Sequence, residues 1–133
     1  MSENLDLVRS IYSAWERGDF SHAEWAHPEI EYMTADGLEP GSWTGLAEMA
    51  EQFHAWLRLW ERFRLTADEY RRLGDDRVIV LDRQVGHGKT SGLDLGELET
   101  NGAWVFEIRD GRVTRMIRYM DRDGALADLG LEE

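Results

Sequence analysis

The chain has no cysteine. Disulfides, thiolate metal ligands and cysteine nucleophiles are therefore excluded. It has no apolar run near the ~20 residues that span a bilayer. Its first residues, Met1 to Asp6, are polar and acidic, unlike a secretory leader. A soluble, cytoplasmic protein is the expectation. Positive charge is scarce: 15 Lys and Arg stand against 27 Asp and Glu, for a net −12. Such a surface repels phosphate backbones and anionic lipid, so neither nucleic acid nor membrane is an expected partner. The four histidines, His22, His27, His54 and His87, form no HxxxH or HExxH spacing, and no metal or cofactor is expected.

Apolar and aromatic residues are plentiful by contrast. At 133 residues, 42% hydrophobic with six Trp, the chain has the size of one domain with a substantial core. Leu5, Val8, Tyr12 and Trp15 recur at helical spacing, and Gly18 stands where a helix C-terminus needs a glycine. Ser21 and Glu24 suggest a short second helix that Pro28 stops. Glu29 to Thr34 alternates as a first short strand. Ala35 to Gly41 reads as a loop. Thr44 can cap a third helix with Leu46, Met49, Phe53, Trp56, Leu57 and Trp60 on its apolar face.

Four strands fill the second half. Phe63 to Leu73 is closed by Gly74-Asp75-Asp76, and Arg77 to Val85 follows. After a glycine-rich connection come Glu97 to Ile108 and Arg112 to Met120, joined through Asp110-Gly111. Asp-Gly between alternating apolar runs is a strong hairpin signal. Asp121 or Asp123 can cap a last helix, Gly124 to Leu129. Helices first and a curled antiparallel sheet second predict an α+β domain. Gly86-His87-Gly88-Lys89-Thr90 ends like a phosphate loop, but Arg83 stands where the first glycine belongs and a strand follows, so no helix N-terminus faces a phosphate.

Motifs spread along the chain resemble the nuclear transport factor 2-like superfamily, and the SnoaL-like proteins common in actinobacteria within it. They are Arg17-Gly18-Asp19, His27-Pro28-Glu29-Ile30-Glu31-Tyr32, Trp43-Thr44-Gly45, Gly74-Asp75-Asp76-Arg77-Val78, Arg109-Asp110-Gly111-Arg112-Val113 and Tyr119-Met120-Asp121-Arg122. The resemblance implies a cone: a bent sheet wrapped around about three helices, an apolar cavity for a small hydrophobic or polycyclic ligand, and a homodimer through the other sheet face. Enzymes of the superfamily include ketosteroid isomerase, polyketide cyclases and limonene epoxide hydrolase.

Carrying the isomerase pattern over, the base falls on Met33, the oxyanion tyrosine on Ile11 and the oxyanion acid on Trp104. None of the three can serve. A histidine common in SnoaL-like relatives also falls on Trp104. The same alignment puts Glu31 on the cavity-facing side of the first strand, where burial would raise its pKa toward neutrality and fit it for acid–base work. Arg83, which shares a strand face with Ile79 and Leu81, would bind a substrate anion or neutralise Glu31. Tyr119 would donate a hydrogen bond, although the spacing leaves open which face of the last strand looks inward. Tyr12, Trp15, Trp43 and Trp104 complete the candidate ligand contacts. Two functional classes follow: a cofactor-free isomerase, cyclase or hydrolase using Glu31, or a non-catalytic ligand-binding or assembly module.

Overall fold

A computed structural model describes residues 3–19, 24–35, 41–58, 60–88 and 97–130. The elements run α1 (Glu3–Glu16), β1 (Ala26–Thr34), β2 (Gly41–Thr44), α2 (Leu46–Arg58), β3 (Trp60–Leu73), β4 (Arg77–Gly88), β5 (Glu97–Arg109), β6 (Arg112–Tyr119) and α3 (Arg122–Asp128). The strands form one curved six-stranded sheet in the order β2-β1-β6-β5-β4-β3. Every neighbouring pair is antiparallel except β1 and β6, which run parallel. The α+β expectation holds, and the sheet is mixed at that one seam.

Local chemistry sets the boundaries. α1 ends in a Schellman motif: Asp19 N–H donates to the Ala14 carbonyl and Gly18 N–H to that of Trp15, both at 2.9 Å, with Gly18 at φ +82°. Asp110 and Gly111 both take positive φ, 51° and 78°, between the paired Arg109 and Arg112. That is the two-residue turn whose twist suits a hairpin. Asp121 caps α3, its side chain accepting from Asp123 N–H. α2 differs slightly from expectation: the Glu48 carboxylate reaches back to Thr44 N–H at 3.1 Å, so Thr44 is capped rather than capping.

Several elements depart from the sequence reading: Trp60, expected on the face of the third helix, opens β3, and β4 runs on past Val85 to Gly88. β1 already begins at Ala26, so Pro28 lies in a strand and stops no helix; residues 20–23, where that helix would start, lie outside the described residues. Gly41–Thr44, assigned partly to a loop, pairs with β1 as the edge strand β2. Four residues are too few for a strand pattern to show.

The sheet is buried on both faces over its centre. One face packs against α1 and α2 through Val8, Tyr12, Trp15, Tyr32, Phe53, Val78, Val80, Trp104, Phe106 and Met116. The other carries Ile79, Leu81, Ala103, Val105 and Tyr119 beneath Ala125 and Leu126 of α3. Aromatic rings fill the middle of the helix-facing side. Trp104 stacks against Tyr32, Phe53 and Phe106 at 5.9–6.2 Å and tilts against Trp15 at 5.0 Å.

Candidate functional site

Register places an ordered set of side chains on the helix-facing side. Thr34, Arg118, Trp104 and Val80 lie in one row across β1, β6, β5 and β4. The next positions on that face are Gly102 and Asp82, partners across β5 and β4, and then Thr100 and Gln84. Away from the aromatic stack, the interior therefore turns polar. Thr34, Asp82, Gln84 and Arg118 are the buried polar or charged side chains among the described residues.

Asp82 stands out. It is 0% exposed, and each carboxylate oxygen receives a donor: Tyr12 Oη at 2.8 Å and Gln84 Nε2 at 3.2 Å. Burial raises its pKa from 3.8 to about 6 against the pull of those two donors and of Arg122. Tyr12 is pushed well above its ordinary value, first by burial and then by the Asp82 charge, so its hydroxyl stays protonated and donates to Asp82. Burial also raises Tyr32, and the nearby Arg118 charge pulls it partly back. The Arg118 guanidinium lies 3.9 Å from the Trp56 ring centroid, a close cation–π stack.

Gly102 is what allows the Asp82 and Gln84 side chains to lie across β5. A Cβ there would sit 2.5 Å from Gln84 Nε2, 2.6 Å from the Tyr119 carbonyl and 3.1 Å from Asp82 Oδ1. Among the described residues, the buried Trp104 Nε1 donor and Gln84 Oε1 acceptor make no hydrogen bond. Beside it, a solvent-open cleft of about 600 Å³ runs between the end of α1 and β3, lined by Trp15, Glu16, Phe63, Leu65 and Thr66 among others. Leu65 is the register partner of Gln84. No group of three or more His, Asp or Glu able to hold a metal occurs among the described residues. No helix among them is long and apolar enough to cross a membrane.

The sequence-derived candidates scatter over this frame. Tyr12, Trp15 and Trp104 meet on the helix-facing side. Trp43 is half-buried at the sheet edge, 5.8 Å from Tyr32. Glu31 does not face the interior: it is exposed, while its neighbours Ile30 and Tyr32 are buried. Arg83 is exposed as well and pairs with Asp68 at 3.0 Å, too far out to neutralise an interior acid. Tyr119 is buried beneath α3, on the opposite face of the sheet. The inward set of the last strand is Met116 and Arg118.

Asp82 and Gln84 alternate with Arg83 along β4 and so share the strand face opposite to it. Val78 to Asp82 is buried without a break, so alternation could not choose a side. The available signal was Gly102, a glycine inside a strand, which marks close approach of other groups.

A model of the SnoaL-like domain matches residues 8–116. Solved structures share the fold. A nuclear transport factor 2-like protein from Burkholderia thailandensis superposes with a TM-score of 0.78 at 20% identity, covering 100% of both chains. TerC co-crystallised with polyporic acid gives 0.73 at 22%, covering 96% of this chain and 98% of that one. A protein of ketosteroid isomerase-like fold from Catenulispora acidiphila, in complex with trimethylamine, gives 0.70 at 18%, covering 96% and 94%. At these identities the likeness is one of fold. The matches carry no narrower, actinobacterial grouping. No curated protein matches the chain significantly.

Proposed function

Because the chain belongs to the SnoaL-like domain family, we propose that it holds a small, largely apolar molecule on the helix-facing side of its sheet, with Asp82 meeting the molecule's polar end. The observation that carries this reading is a fully buried carboxylate held by Tyr12 and Gln84 beside the buried Trp104 Nε1 and Gln84 Oε1, which lack partners. An unmet buried donor or acceptor costs about 1–3 kcal/mol. Proteins keep such groups where a ligand or water completes them. Trp104 offers an N–H donor, and Gln84 offers an acceptor. The cleft beside Leu65 supports access from solvent. TerC with polyporic acid and the Catenulispora acidiphila protein with trimethylamine are solved structures of this fold that hold small molecules.

As an enzyme, the protein would use Asp82 as a cofactor-free acid–base group in isomerisation, cyclisation or hydrolysis. A carboxyl with pKa about 6 exchanges protons efficiently near neutral pH. The non-catalytic reading draws its support from the packed Trp104–Tyr32–Phe53 stack, which leaves the centre to side chains. A homodimer through the outer sheet face fits the half-buried Met33 and Ile117 and the exposed Val85 there.

Thermal-shift screening of small aromatic and polycyclic carbonyl compounds, against wild type and Asp82→Asn, tests the proposal. A binder raises the melting temperature of the native state. Its affinity for the wild type is expected to change across pH 5–7 and to lose that dependence in the variant. A binder with equal affinity and equal pH dependence in both proteins removes Asp82 from the site.

A further inference from the structure

We propose that Arg122, from the C-terminal helix, is a positioning residue for Asp82, acting together with Asp68 of β3. This rests on the reading of Asp82 as the carboxyl of the site. Arg122 Nη2 donates to the Asp82 backbone carbonyl at 2.8 Å and to Asp68 Oδ2 at 3.0 Å. The other Asp68 oxygen accepts from Arg83 Nε at 3.0 Å. One carboxylate therefore joins α3, β3 and β4 at the residue that carries the interior acid.

The β3 strand is irregular at this level. Ala67 pairs with Asp82 and Glu69 with Leu81, so Asp68 is an extra residue in the ladder. Such a bulge re-aims side chains, and bulges concentrate beside functional sites. Here it turns Asp68 toward Arg122 and Arg83, and the Ala67 N–H is taken by Glu16 Oε2 of α1 at 3.0 Å. On α1, Glu16 stands one turn after Tyr12. The same helix therefore holds the bulge through one side chain and the Asp82 carboxyl through another. An ordinary strand residue needs nothing beyond ladder bonds, whereas Asp82 is fixed by Tyr12 and Gln84 on its side chain and by Arg122 on its main chain.

The charges nearby act in opposite senses. Arg122 favours the ionised form of Asp82, and Asp68 opposes it. On the remaining elements, Tyr12 donates from α1, and Arg118 on β6 is stacked on Trp56. Since Ala125 and Leu126 bury α3 in the apolar cluster of Ile79, Leu81, Ala103, Val105 and Tyr119, the docking of that helix determines where the Arg122 charge stands. The Tyr119-Met120-Asp121-Arg122 motif thereby gains a physical role: Asp121 starts the helix and Arg122 ties it to the site.

The test is a ¹³C NMR titration of the Asp82 carboxyl in wild type, Arg122→Gln, Arg122→Lys and Asp68→Asn, with melting curves confirming folding. Arg122→Gln is expected to raise the Asp82 midpoint by on the order of half a unit to one unit, and Arg122→Lys to recover part of that shift. Asp68→Asn is expected to move the midpoint downward. A purely structural role predicts no such pair of opposite shifts. The inference is overturned if folded Arg122→Gln leaves the midpoint unmoved, or if Asp68→Asn raises it. Asp68 is partly exposed, so its variant keeps the test available if Arg122→Gln does not fold. A wild-type Asp82 that titrates like an ordinary aspartate would instead overturn the parent reading.

Discussion

Replacing Asp82 by Asn should stabilise the protein at neutral pH and much less so in acid. Asp82 has a folded pKa of about 6 against 3.8 when unperturbed. The native state thus binds this proton more tightly than the unfolded chain. Stability from the group is fully present below pH ~4, falls as pH rises between 4 and 6, and is gone above it. A raise of about two units at 1.36 kcal/mol per unit comes to about 3 kcal/mol of stability forgone at pH 7.5. Asn keeps the shape and never ionises. Tyr12 can still donate to its oxygen, and a rotated Gln84 amide presents Oε1, which lacks a partner, to the new N–H₂. The variant should gain up to ~3 kcal/mol at pH 7.5 and about 1 kcal/mol at pH 4.5. For a chain of 133 residues, unfolding entropy near 2.1 cal/mol/K per residue turns that gain into a melting shift of up to ~10 °C. Urea unfolding of both proteins at pH 4.5, 5.5, 6.5 and 7.5 measures it, and carboxylates common to both cancel in the difference. A difference that stays constant across these pH values refutes the reasoning.

Tyr12→Phe removes a buried donor to a charged acceptor, which should cost about 1.5–3 kcal/mol at pH 7.5, and less at pH 4.5 where Asp82 is protonated. Gly102→Ala forces a Cβ against Gln84, Asp82 and the Tyr119 carbonyl. Urea unfolding should show a loss of about 1–3 kcal/mol, the usual cost of overpacking. Glu31→Gln, on an exposed position, should change stability by less than about 0.5 kcal/mol and leave ligand affinity untouched. A large loss of binding in that variant would restore Glu31 as the acid of the site.

Much of the fold was legible because short-range signals set it. Asp110-Gly111, Gly18 and Asp121 each need a backbone geometry that few residues supply, and each stands where expected. The site was less so, for two reasons. In β1, alternation alone would have sufficed: Ile30, Tyr32 and Thr34 are buried, and Glu29 and Glu31 exposed. An alignment carried over from the isomerases chose the other parity, and a slip of one residue exchanges the two faces of a strand. In β4, local pattern holds no answer, since Ile79 and Leu81 on the outer face are buried as well as Val78 and Val80 on the inner one. Asp82 becomes visible only through its opposite residue, Gly102, which is a tertiary relationship. The parallel seam between β1 and β6 is long-range too, and no turn between those strands announces it.

The central claim is that the interior of this fold holds an aspartate kept near the edge of ionisation by burial. Titrating the Asp82 side-chain carboxyl by ¹³C NMR in the wild-type protein tests it most directly. A midpoint at about 6 is the expected result. A midpoint near 4, as for an aspartate in water, would contradict it.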